Sequence, residues 1–291
     1  MADRPPLPPA LVLAVAVTAV SAAAVLFRLA DGVHPVVAAF WRTATVGALL
    51  APSLRRRAVR QSLGRRDIAL VALAGLFLAL HFWAWFASLR HTTVLRSTLL
   101  VCLTPVWAGL LEWVVLKSRP HARFFAGIGV ALVGVGLMSA SLATAGGGSL
   151  VGDALALLGG VLSASYLLVG RSVRQRVGTG PYGALVCLGT AAWLLPVALA
   201  LGAPLTGFST QAWLALAGLT LGPQLLGHIG MNYAVGYLSA AVVSAAILLE
   251  PVGAAILGAL LLGELPGPLD WVGGAIVLAG VGVATLRRRR G

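Results

Sequence analysis

The stretch from Ser97 to Met138 occurs twice. Shifted by 146 positions it returns without a gap between Val243 and Ala284: Pro105 meets Pro251, Pro120 meets Pro266, Gly127 meets Gly273, Gly134 meets Gly280 and Gly136 meets Gly282. Between Thr104 and Met138, 11 of 35 positions are identical. Chance matching in a chain rich in Ala, Leu, Gly and Val would give roughly a tenth. Each copy reads as an apolar helix with a Pro in it, a short polar break at a second Pro, then a glycine-studded apolar helix. A duplicated pair of apolar helices points to a membrane bundle of two similar halves.

The rest of the chain agrees. Hydrophobic residues make up 59% of the 291 positions and charged ones 10%, with a mean hydropathy of +0.96. Ten apolar runs follow one another: 10–27, 33–51, 67–88, 93–116, 124–143, 151–170, 181–201, 211–234, 238–262 and 271–286. Each is long enough to cross about 30 Å of hydrocarbon. Ser21 to Ala24 has the small residues of a leader cleavage site, but removing the first run would break the symmetry of the halves. The net charge of +13 does not indicate nucleic acid, because the basic residues sit in short clusters between apolar runs. With the N-terminus in the cytoplasm, 17 of 21 Lys and Arg fall on the cytoplasmic side, and only Arg28, Arg42, Arg90 and Arg96 do not. The positive-inside rule therefore predicts both termini inside.

Five spans per half turn the second half upside down. The break Lys117-Ser118-Arg119-Pro120 is basic, whereas its copy Gly263-Glu264-Leu265-Pro266 has lost every positive charge. The predicted fold is thus an all-α integral membrane protein of ten transmembrane helices in two inverted five-helix repeats, residues 1–145 and 150–291, joined by a Gly-rich linker at 146–149. Two mirrored half-bundles can rock about a central site and open it alternately to each side.

Thr98 to Pro120 and Ser244 to Pro266, each followed by its Gly-rich helix, resemble the two repeats of the EamA-like family of the drug/metabolite transporter superfamily. Leu249-Glu250-Pro251-Val252 and Leu262-Gly263-Glu264-Leu265-Pro266 carry most of the resemblance. It departs at Ser118, where the family usually has a Glu. The resemblance implies ten helices, termini inside, and export of amino acids or other small metabolites across the cell membrane of a bacterium.

Ionisable groups inside spans are costly and mark function. Arg42 and Glu250 lie near the middle of spans two and nine, and Thr104-Pro105 matches Glu250-Pro251. A proline there frees a carbonyl at a depth where only a neighbour or a lined cavity can satisfy it, so Pro105 and Pro251 are candidate helix-break hinges. We expect Arg42 and Glu250 to face one cavity, Glu250 for an ammonium or a proton and Arg42 for a carboxylate; the alternative is a structural ion pair between two helices. His81 and Trp85 share a helical face, as do His228 and Asn232, and these with Tyr166 would form an amphipathic wall. Trp83 reads as lipid-facing. Glu112 is either an inner gate partner, or a group that snorkels to the interface or pairs with Lys117. Arg90, His91 and Arg96 suggest a rim attracting anions. The glycines spaced by seven in spans five and ten form smooth strips, for packing within a half-bundle or for a homodimer contact.

No nucleophile–base pair or metal cluster suggests an enzyme, and no cofactor or metal site is expected. Cys102 and Cys187 read as small core residues rather than a disulfide or metal pair. A few asymmetric polar groups suit a discrete site better than a channel pore. No phosphate-binding loop for ATP is present. The expectation is a secondary transporter of amino acids or similar amphipathic metabolites, with lipid and a small-molecule substrate as partners, a second copy of the chain as a further candidate, and no nucleic acid. Carriers of cationic drugs, sugars or nucleosides on the same fold are the alternative.

Overall fold

The computed structural model describes residues 7–117, 120–145, 149–235, 237–238, 243 and 246–285. Ser118, most of the 146–149 linker and the terminal Arg287 to Arg290 lie outside this set. The described residues form helices and connecting turns, without strands. Seven helical stretches are long and apolar enough to cross a membrane: Pro9–Leu29, Pro35–Arg55, Arg65–Ser88, Val94–Val115, Leu150–Arg171, Thr179–Ala200 and Thr210–Ile229. Shorter apolar helices cover Ala122–Met138, Glu250–Leu262 and Pro268–Ala284. Large aliphatic side chains stand on the exterior, Leu150 at 71% and Leu260 at 75% exposure, which suits lipid contact rather than water.

The elements in order are α1 (Pro9–Ser21), α2 (Ala23–Leu29), α3 (Pro35–Leu50), α4 (Arg57–Ser62), α5 (Arg65–Ser88), α6 (Val94–Val101), α7 (Thr104–Leu116), α8 (Ala122–Ala145), α9 (Leu150–Val177), α10 (Thr179–Ala200) and α11 (Thr210–Leu219). A π-helical stretch (Thr220–Ile229), α12 (Gly230–Val235), α13 (Glu250–Leu262) and α14 (Pro268–Thr285) complete them. Helix starts follow local chemistry. Ser149 and Ser209 accept from the amides of Gly152 and Ala212, each at 3.1 Å, and the Asp67 carboxylate caps the Gly64 amide at 2.9 Å. These bonds satisfy donors that a helix start leaves orphaned.

The two repeat prolines sit in the first turn of new helices. The fourth run breaks at Cys102 and Leu103 and resumes as α7, with Pro105 near its start. The ninth shows turn geometry at Leu248 and Leu249 and resumes as α13, with Pro251 at the same place. Proline lacks the amide that the preceding turn would need, so the chain restarts its ladder there.

The glycine strips do not follow the expectation of packing within one half. They join α8 to α14, one helix from each copy of the repeat. A Cβ on Gly127 would lie 2.5 Å from the Gly280 carbonyl oxygen, and one on Gly134 would lie 2.5 Å from that of Gly273. The paired positions run in opposite directions, so the helices are antiparallel along this seam. Gly129 and Gly136, on another face of α8, have nothing within 4 Å.

At the basic-loop end, the exposed Arg176 pairs with the buried Asp67. At the end bearing the acidic loop, one cluster of charges is buried and a second is half-buried. Arg96 is 1% exposed and bridges Asp153 at 2.6 Å and Asp270 at 3.0 Å, and it also donates to the Met138 carbonyl. One side chain thus ties α6 to α8, α9 and α14. Arg28 bridges Glu264 at 3.0 Å, and Glu264 in turn accepts from the first amide of α6, Val94, at 2.8 Å.

Candidate functional site

A cavity of about 390 Å³ opens inside the bundle, at the two helix breaks. Arg42 from α3, His81 and Trp85 from α5, Thr104 and Pro105 from α7, Tyr166 from α9, His228 from the π-helical stretch and Glu250 from α13 all line it. Residues far apart in the chain therefore converge on one space of small-molecule size. Pro251 is buried directly beyond Glu250. Asn232 lies on α12, but its side chain is outside the described set.

The breaks explain why polar groups reach this depth. Thr104 opens α7, and its hydroxyl donates back to the Val101 carbonyl at 2.8 Å, satisfying a group that the broken ladder leaves open. Glu250 opens α13 in the corresponding position, so its side chain emerges at a helix N-terminus, where a negative charge is favoured. The Cys102 thiol lies beside Glu250 and interacts with it. Cys187 is likewise a polar partner, accepting from the Gln224 amide nitrogen at 3.6 Å. Both cysteines are free and buried.

Arg42 is 1% exposed. Its Nε donates to the Gln224 side-chain oxygen, and its guanidinium carbon lies 4.3 Å from the centre of the Phe82 ring. Its Nη1 is buried without a hydrogen-bond partner. Five ion pairs occur among the described residues, and neither Arg42 nor Glu250 belongs to any of them. No direct salt bridge joins the two among the described residues, although each acts on the other electrostatically across the cavity. An isolated buried charge is costly unless something compensates it.

The remaining wall is mostly aromatic and apolar, with Arg174 of α9 as a second cation on it. His81 Nδ1 lies 2.8 Å from the Gly159 carbonyl oxygen. A carbonyl can only accept, so the proton sits on Nδ1. The His81 and Trp85 rings stack with centroids 6.1 Å apart, and the buried Trp85 indole N–H has no partner. Ser163 also lines the cavity, whereas Ser165 donates to the Val161 carbonyl of its own helix. Trp83 is 37% exposed, on the outside of the bundle.

Three sequence expectations change. Arg96 is no rim residue: it is buried in the clamp with Asp153 and Asp270, because acidic partners from two later helices reach it. Arg90 is exposed but occupied, donating to the Val33 carbonyl at 2.6 Å, and His91 beside it is exposed as well. Glu112 pairs with Arg171 at 3.1 Å rather than with Lys117. The side chains of this last pair are 55% and 43% exposed, so Glu112→Gln should shift stability by less than about 1 kcal/mol. A melting temperature unchanged within error is the expected result.

Gln224 is the site residue that the sequence reading missed. Buried beside Pro223 in an apolar run, it carries no charge and so escapes a search for ionisable groups. Its one signal is an amide within a membrane span, next to a proline.

The family model described as the EamA-like transporter family matches residues 7–140 and again residues 150–286. A protein of Streptantibioticus cattleyicolor named as a probable terminal-alkyne amino-acid exporter is 30% identical, over 77% of this chain and 76% of its own. An uncharacterized transporter of Bacillus subtilis is 26% identical, over 76% and 74%. Another, of Archaeoglobus fulgidus, is 25% identical over 77% of each. A protein of solved crystal structure superposes with a TM-score of 0.65 at 20% identity, covering 95% of this chain and 96% of that one; this likeness bears on the fold alone.

Proposed function

We propose, for a chain that belongs to the EamA-like transporter family and is a multi-pass membrane protein, that it is a secondary exporter of amino acids or similarly small zwitterions. The observation that carries this reading is the charge pattern of the cavity. The buried Arg42, the half-buried Arg174 and the carboxylate of Glu250 line the same space, and among the described residues neither Arg42 nor Glu250 belongs to a salt bridge. A substrate bearing both a carboxylate and an ammonium complements that pattern, with Arg42 taking the first and Glu250 the second. The wall of His81, Phe82, Trp85 and Tyr166 suits an apolar or aromatic side chain. The exporter name of a relative at 30% identity supports the same class.

In this reading the chain has ten transmembrane helices as two inverted repeats, residues 1–145 and 150–291, with both termini in the cytoplasm. Two family matches of similar length and the antiparallel glycine seam support it. The halves rock about the seam, and the cavity faces each side in turn. His228 and Thr104 complete the wall, Pro105 and Pro251 mark the hinges, and Asn232, four residues after His228, is a further candidate by its place in the sequence.

Uptake of labelled amino acids into proteoliposomes tests this. Glu250→Gln should lower uptake roughly ten- to a hundredfold, the loss of one charge-assisted hydrogen bond, while the protein still folds. A response of the wild type to a pH gradient would add proton coupling. Unchanged uptake by the variant would remove Glu250 from the transport path.

A further inference from the structure

Arg42 would be of little use as a receptor if its guanidinium could turn. In the structure it is held on two sides. Phe82 covers a face of the guanidinium at 4.3 Å, and Gln224 takes its Nε hydrogen. Nη1 is left without a partner. Gln224 is itself fixed: an arginine can only donate, so the amide oxygen must face Arg42, and the amide nitrogen then reaches the Cys187 sulfur at 3.6 Å. All four side chains are buried, none more than 5% exposed.

The identity of the residue matters. A glutamate at this place would orient Arg42 equally well but would neutralise it. A glutamine supplies the acceptor and leaves the positive charge for something else. Its backbone is unusual as well. Gln224 follows Pro223 inside the π-helical stretch Thr220–Ile229, where hydrogen bonds run to the fifth residue and the turns are wider. His228, in the same stretch, lines the same cavity.

We propose that Gln224 is a positioning residue for substrate recognition: it holds Arg42 so that Nη1 is presented to the carboxylate of the transported molecule, without quenching the charge. This rests on the reading of Arg42 as the carboxylate receptor. The specificity it implies is for free carboxylates over neutral carbonyl analogues of the same shape.

Ligand-induced thermal stabilisation of the purified full chain tests it, using phenylalanine and phenylalaninamide as probes that differ only at the carboxylate. The wild type should bind phenylalanine at least about tenfold more tightly than the amide. Arg42→Gln should bring that ratio close to one. Gln224→Glu should do the same while raising the melting temperature of the ligand-free protein, because it gives Arg42 a partner within the chain. Gln224→Ala should weaken phenylalanine binding and leave amide binding as in the wild type. If Arg42→Gln abolishes the preference but both Gln224 variants keep it, the positioning role is overturned and the carboxylate reading stands. A wild type that binds both probes alike, or neither, overturns the carboxylate reading and this inference together.

Discussion

Arg96→Met should destabilise the protein by roughly 3–5 kcal/mol, seen as a melting temperature lower by on the order of 10 °C. The reason lies in what the substitution leaves behind. Asp153 and Asp270 both face Arg96, at 2.6 and 3.0 Å, and both are buried. Without the guanidinium, two carboxylates remain close together at low dielectric, and the Met138 carbonyl loses the hydrogen bond from Arg96 as well. Breaking a buried pair costs more than never having had one. Hence replacing Arg96, Asp153 and Asp270 together by leucine should recover most of the loss. The shortfall should be about 1 kcal/mol, since Asp270 also accepts from the Gly267 amide at 3.2 Å. A triple variant as unstable as the single one would show that the clamp is not an isolated electrostatic unit.

The second large effect is expected at the seam. On Gly134 a methyl group would meet the Gly273 carbonyl oxygen at 2.5 Å and the Val277 amide at 2.7 Å. These are backbone atoms, which cannot swing aside as a side chain can. Gly134→Ala should therefore push α8 from α14 and cost at least about 1–3 kcal/mol, the usual penalty of overpacking, and Gly134→Leu should prevent a monodisperse preparation. Gly136 is the control. It lies two residues on, with nothing within 4 Å, and Gly136→Ala should be neutral or stabilise by up to about 1 kcal/mol through helix propensity. Size-exclusion profiles and melting curves of the two alanine variants, side by side, decide the matter. Equal behaviour would mean that the close approach does not hold the helices together.

The sequence disclosed the helical membrane class and the family because these rest on one-dimensional signals: run length, loop charge and a gapless repeat. It also disclosed most of the cavity candidates. Arg42, His81, Trp85, Tyr166, His228 and Glu250 are polar or amphipathic groups in apolar runs, and such groups are tolerated only where a cavity or a partner receives them. What escaped depended on pairing between distant elements. Arg96 and Arg42 look alike in sequence, each an arginine in an apolar setting. One finds carboxylates on α9 and α14, and the other meets an amide and a phenyl ring. No local pattern separates them. The glycine strips were legible as smooth faces, but the partner of a smooth face is a question of topology. The π-helical stretch was hidden because its residues have the same apolar composition as an α-helical run.

The clamp also has a consequence for how the chain is made. The carboxylates that neutralise Arg96 lie 57 and 174 residues further along. When α6 leaves the ribosome neither exists, and an arginine buried in an apolar helix without partners is costly, though less so near the end of the span, where Arg96 sits, than at its centre. The nascent segment must hold that charge at the interface or beside the translocation channel until Asp153 arrives, and it completes its set only when Asp270 does. A ribosome stalled between these two positions would leave α6 half settled, so the order of synthesis is written into this one residue.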